Sequence, residues 1–168
     1  VGEVTPIPNK NSFMAVLPAA ILTKGVTTYK NVPKTSDVDK HFAILRDLGA
    51  VIDDSDYNEV KIDCTNVNKF SIVSPLAKQY RSSILYVGPL LARFKKARVP
   101  LPGGCSLGTR SIAGHINVFK KVGTKIDFGD DYIEFSVEEH DLEKFYEIWQ
   151  LEASVTATEN LAMYAAGV

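Results

Sequence analysis

Cysteine is scarce in this chain, with two in 168 residues, Cys64 and Cys105. Two cannot build a disulfide framework, and no Cys/His spacing has the pattern of a metal site. A reducing cytoplasm is therefore the default expectation. An excess of one charge is missing too. The chain has 19 basic and 20 acidic side chains, for a formal net charge of −1, and no polybasic run. Nucleic acid as a partner is set aside on that ground. Also absent are an apolar run of the roughly 18 residues a membrane helix needs and an N-terminal stretch of signal type, so no membrane role is expected. What remains is an ordinary globular composition, 45% apolar and 23% charged, long enough for one domain with a core.

Self-similarity is the most informative positive feature. "HFAILRDLGAVI" (41–52) aligns without a gap on "HINVFKKVGTKI" (115–126), 74 positions on, from 41 to 115. Each copy reads as a helix with inward positions at i, i+4 and i+7, stopped by Gly49 or Gly123. A short strand, a turn and an alternating strand follow: "EVKID" (59–63) and "YIEFSV" (132–137). A second helical run opens each copy, 11–23 and 78–93, followed by the β-like "GVTTYKNVP" and "ARVPLPGG". Pro18 and Gly88-Pro89 lie inside those runs and should kink them. A third such start occurs at 154–168.

The expected fold class is α/β (α+β), in repeated βαβαββ units at about 1–73 and 74–150, with a third unit begun at 151–168. Part of a unit cannot bury its own apolar face. The expectation is a piece of a longer protein, or a last helix completed by another chain.

"PLPGGCSLGTR" (100–110) sets Cys105 among glycines, five residues before Arg110. Glycine allows close backbone approach to a ligand, and a nearby cation favours the thiolate. Two readings stand: a chance cysteine in a surface loop, or a thiol that belongs to a site. Lys10-Asn11, Arg81 and Ser154-Val155-Thr156 each stand at the start of one of the three comparable helices. Helix starts bind anions through free N–H groups, so Lys10, Arg81 and Arg110 could share a phosphate or carboxylate. Solvated surface charge is the alternative. His115 is a candidate ligand contact or a packing residue, and its counterpart His41 a helix-face residue. Cys64 is expected to be structural or incidental, Trp149 to lie in the core with the apolar run "FYEIW" (145–149), and "VEEHDLEK" (137–144) in a solvated loop.

These stretches resemble the enolpyruvyl transferases, specifically the branch acting on UDP-N-acetylglucosamine. The likeness covers nearly the whole chain: "GEV", "KN" (10–11), "NVPKTSDVDKHFAILRDLGA" (31–50), "RSSILYVGPLLARF" (81–94), "PGGCSLGTR" (102–110) and "SVTATENLAM" (154–163). A glycine-flanked cysteine with arginine five residues on is the branch's signature loop. The shikimate-pathway enolpyruvyl transferases share the fold but lack this cysteine.

The resemblance implies an inside-out α/β barrel, helices within and sheets outside, with this chain most of one domain and a second domain absent from it. It implies phosphoenolpyruvate and UDP-N-acetylglucosamine as substrates, in the first committed step of peptidoglycan synthesis, with no metal or cofactor. Cys105 would act as general acid toward the enolpyruvyl methylene and be the target of fosfomycin. Lys10 and Arg110 would contact the phosphate of phosphoenolpyruvate. Arg81 would line the site, and Asn11 would bind the sugar nucleotide. Ser154, Val155 and Thr156 would hold its diphosphate, with His115 among the substrate contacts. Three departures from the family pattern stand out. Ser111, Ala113 and Gly114 interrupt a usual Pro-x-Asp-Leu-His, Thr156 replaces a usual glycine, and Asn9 a small residue. The first two departures fall on the nucleotide half of the site. With the second domain missing, the chain alone is expected not to turn over.

Overall fold

A computed structural model describes residues 2–4, 6–73, 77, 81–101, 111–145, 147–151 and 153–168. Helix α1 (Lys10–Val16) starts where the Asn9 side chain accepts the Ser12 N–H at 3.0 Å. Pro18 has no N–H to continue the ladder, and the chain tightens into a 3₁₀ helix over Leu17–Leu22. The expected kink is thus a change of helix type. Strand β1 (Val26–Lys30) follows, then α2 (Ser36–Leu48), capped by the Thr35 hydroxyl on Val38 N–H. It ends at Gly49, whose φ of 108° is left-handed. Strands β2 (Val51–Asp53) and β3 (Glu59–Asp63) complete a sheet of order β1-β3-β2, both pairings antiparallel.

The second stretch runs through a 3₁₀ helix (Arg81–Tyr86), α3 (Val87–Phe94), β4 (Lys96–Pro100), α4 (Ala113–Lys121), β5 (Lys125–Phe128) and β6 (Tyr132–Ser136). Its sheet has the order β4-β6-β5, again antiparallel, with the last strand in sequence at the centre. Ser71 adds a parallel bridge to Arg98 on β4. A short 3₁₀ turn (Leu142–Phe145) leads to α5 (Val155–Ala166).

Alternation decides which face of each sheet is covered. Val60 and Ile62 on β3, and Ile133 and Phe135 on β6, are buried, while Glu59 and Lys61 are exposed. Phe42, Leu45 and Leu48 of α2 join one continuous core with them, and Phe119 of α4 meets Phe135 edge-on at 5.5 Å. Helix α3 is apolar almost all round, with Val87 to Leu91 buried, and α5 lies against it. Cys64 is fully buried, and burial pushes its thiol up to about 11.

Trp149 corrects the sequence reading. It is 73% exposed, in an irregular segment, with its indole N–H on Glu147. The run "FYEIW" is apolar, but residues 147–150 form no helix or strand to turn the indole inward. The acidic stretch is solvated at Glu138, Glu139 and Glu143, although His140 binds the Tyr164 hydroxyl at 2.9 Å. Among the described residues no helix is long and apolar enough to cross a membrane, and no three His, Cys, Asp or Glu side chains are grouped to hold a metal.

Candidate active site

Three helix starts converge on one pocket of about 660 Å³. Asn9, Asn11, Ser12, Met14 and Ala15 line it from α1 and its cap. Arg81, Ser82, Ile84 and Leu85 line it from the 3₁₀ helix, and Val155, Thr156 and Glu159 from α5. Four of the sequence candidates, Asn11, Arg81, Val155 and Thr156, are thus neighbours in space although up to 145 positions apart, from 11 to 156.

Local sequence explains each approach. Ser154 caps α5, its hydroxyl accepting the Ala157 N–H at 3.3 Å, so the first free N–H groups of a 12-residue helix lie at the pocket edge. Val155 stands 74% exposed there, at the first position of the helix. Arg81 donates through Nη2 to the Ser111 carbonyl oxygen, which ties the 3₁₀ helix to the entry of α4. Ser111 in turn accepts the Ala113 N–H on its hydroxyl at 2.9 Å. The polar atoms of this departing segment are therefore engaged in holding the scaffold.

Lys10 is placed differently from the expectation. Its ammonium lies 2.7 Å from Asp37 Oδ2 on α2, and it is not among the residues lining the pocket. The Lys10 bond holds the Asp37 carboxyl below its usual range. Cys105 and Arg110, with residues 102–110 of their loop, lie outside the described residues.

The two histidines are 1% exposed. His115 Nε2 is 3.2 Å from Thr156 Oγ1, and its Nδ1 is 3.1 Å from the Asn160 amide nitrogen. His41 Nε2 is 2.7 Å from Ser82 Oγ, and its Nδ1 is 3.0 Å from the Tyr86 hydroxyl. Neither ring lines the pocket, but each holds a hydroxyl that does. Ser82, Glu159 and Asn160 were not singled out by sequence reasoning. The signal was there in the 74-residue offset, which carries Ser82 onto Thr156 and Tyr86 onto Asn160.

In chemical terms the pocket offers helix-start N–H groups, one guanidinium, three hydroxyls and two amides, set against one carboxylate. That set suits an anionic, polyoxygenated ligand.

Comparison with known proteins follows this geometry. Residues 1–168 match the family described as EPSP synthase (3-phosphoshikimate 1-carboxyvinyltransferase). A UDP-N-acetylglucosamine 1-carboxyvinyltransferase of Dichelobacter nodosus is 36% identical over 164 residues, 98% of this chain and 38% of that protein. The protein so named in Idiomarina loihiensis is 42% identical over 164 residues, 98% of this chain and 39% of its own length. Among solved structures, the enolpyruvyl transferase NikO from Streptomyces tendae superimposes with a TM-score of 0.72 at 16% identity, over 98% of this chain and 38% of that one. The last likeness concerns fold alone. The chain spans about two fifths of the length of the curated relatives it matches.

Proposed function

Because the chain belongs to the EPSP synthase family, we propose that it carries one half-site of an enolpyruvyl transferase that uses phosphoenolpyruvate and UDP-N-acetylglucosamine. The observation that carries this reading is the convergence of Asn11, Arg81, Val155 and Thr156 on one pocket at three helix starts.

The reaction is addition followed by elimination. The sugar 3-hydroxyl attacks C2 of phosphoenolpyruvate and loses its proton, while the methylene carbon gains one. The tetrahedral phospholactoyl adduct then loses that side's proton and expels phosphate, leaving the enolpyruvyl ether. In this reading Cys105 supplies the proton to the methylene, as a thiol can when correctly placed. Lys10 and Arg110 hold the phosphate as its charge changes. Arg81 lines the site, and Asn11 orients the sugar nucleotide. The diphosphate rests on the free N–H groups of Ser154, Val155 and Thr156. Lys10 must exchange Asp37 for the phosphate to take part.

The repeat reading is proposed with it. Units at about 1–73 and 74–150 and a third begun at 151–168 form an inside-out barrel with helices within. Supporting this are the matching strand orders β1-β3-β2 and β4-β6-β5 and the shared offset of the paired residues. The remaining catalytic groups would come from a second domain, so the 168-residue chain binds the sugar nucleotide without turnover.

Calorimetric titration with UDP-N-acetylglucosamine tests the reading, alongside a phosphate-release assay with phosphoenolpyruvate. Binding that Arg81→Ala weakens about tenfold, a loss of one charge-assisted contact, is expected, with no phosphate released. Absence of binding, or binding indifferent to Arg81, would contradict the half-site, and phosphate release would contradict the missing-domain account.

One observation favours a second acceptor. The Ser111 carbonyl and hydroxyl are engaged within the scaffold, and Ala113 and Gly114 carry no polar side chain. A nucleotide sugar with a base other than uracil fits that segment equally, and tighter binding of such a sugar in the same titration would select this reading.

A further inference from the structure

We propose that His115 is a positioning residue that makes the Thr156 hydroxyl a hydrogen-bond donor into the pocket, so that Thr156 selects ligands presenting an anionic oxygen at the start of α5. This rests on the pocket being the nucleotide-sugar half-site and names the polarity of one of its contacts.

The polarity follows from Asn160, which is fully buried. Its Oδ1 accepts the Gly88 N–H at 2.7 Å, and its Nδ2 donates to the Ile84 carbonyl oxygen at 2.8 Å. Both partners have fixed roles, so the amide has one orientation: flipped, it would set N–H against N–H and oxygen against oxygen. The second Nδ2 hydrogen then faces His115 Nδ1 at 3.1 Å. Nδ1 must accept, and a neutral ring carries its proton on Nε2. Burial, with the Arg81 charge adding to it, pushes the imidazole down to about 4, which keeps it neutral. Nε2–H therefore donates to Thr156 Oγ1 at 3.2 Å. The threonine has a single hydroxyl hydrogen. With one lone pair occupied by His115, that hydrogen is directed to the pocket that Thr156 lines.

The arrangement occurs twice. His41, Ser82 and Tyr86 stand 74 positions before His115, Thr156 and Asn160, from 41 to 115, 82 to 156 and 86 to 160. In each set a buried ring holds a pocket-lining hydroxyl through Nε2, while Nδ1 faces a buried side chain four positions further along that hydroxyl's helix. The Tyr86 hydroxyl faces both His41 Nδ1 at 3.0 Å and the His41 carbonyl oxygen at 3.3 Å and can donate to either, so the polarity of Ser82 is not set in the way Thr156's is. Of the two hydroxyls held by histidine rings, the pocket thus has one of fixed polarity and one that can adapt. That combination discriminates at Thr156 against ligand groups that offer only donors.

Two measurements test the proposal. The ring ¹⁵N shifts of His115 in the free chain are expected to report a neutral Nε2–H tautomer, unchanged between about pH 6 and about pH 8. A proton on Nδ1, or a charged ring in that range, overturns it. The second measurement is the dissociation constant of inorganic pyrophosphate and of UDP-N-acetylglucosamine for the chain and its variants. Thr156→Val is expected to weaken both about tenfold, and Thr156→Ser to stay within about threefold. His115→Phe is expected to weaken binding in the unaltered background and to add nothing to Thr156→Val. Thr156 is exposed, so its variants keep the fold whatever happens at His115. Equal affinity of Thr156→Val and the unaltered chain for both ligands overturns the proposal, as does binding of neither. Pyrophosphate binding that depends on Thr156 without sugar-nucleotide binding supports it while removing the half-site reading. Sugar-nucleotide binding indifferent to Thr156 does the reverse.

Discussion

His41 and His115 are each 1% exposed, and both imidazoles are pushed down to about 4, by burial first. Their folded pKa values lie below the ordinary 6.5, so the unfolded chain takes up protons first as pH falls. Their contribution to stability is therefore complete above about pH 6.5 and is lost as pH falls toward about 4. The two together should remove about 2 kcal/mol between about pH 6.5 and about pH 5.5, above the range where most carboxylates titrate. Urea denaturation at those two pH values checks this, and His140, also shifted downward, adds in the same direction. Equal stability at both values would mean that the rings are charged or solvated. Little of this residue-scale structure was legible beforehand. Asn11, Arg81, Val155 and Thr156 stood out because Asn9 and Ser154 announce helix starts. The Lys10–Asp37 pair and the His115–Thr156–Asn160 chain are contacts across 27, 41 and 45 positions, which no local pattern encodes.

Elements with strong local signals were read closely. The strand "EVKID" coincides with β3, and α2 stops at the glycine that marks its end. Over the described residues, the expected helices at 11–23 and 78–93 are composites of α and 3₁₀, a mixture that hydropathy does not register. Trp149 failed for a related reason: apolar content without an element to orient it does not predict burial. The contact of α3 with α5 carries the clearest prediction at this scale. A Cβ on Gly88 would collide with the Asn160 carbonyl oxygen and stand 2.8 Å from its Oδ1. Gly88→Ala should therefore destabilise the chain by about 2 to 3 kcal/mol and weaken sugar-nucleotide binding, because α5 carries Thr156. Thermal unfolding of the variant at the unaltered midpoint would show that the two helices part without cost.

At the scale of the whole molecule, two sheets share one strand order, α3 packs against β4 and α5, and the starts of three helical segments line one pocket. The self-similarity was legible in the sequence at a single 12-residue match, and the two sheets share a strand order, while the meeting of the helix starts needed the packed core to bring them together. The curated relatives are about two and a half times as long as this chain, and the proposal divides their work accordingly. Under that proposal this part would bind and orient, and the reaction would be completed by other parts of the enzyme. Amide chemical-shift mapping of the chain during titration with UDP-N-acetylglucosamine tests that division most directly. The account predicts saturable shifts concentrated at Asn11, at Arg81 to Leu85 and at Val155 to Glu159. Shifts centred on the acidic face at 136–144, or no saturable shifts at all, would contradict it.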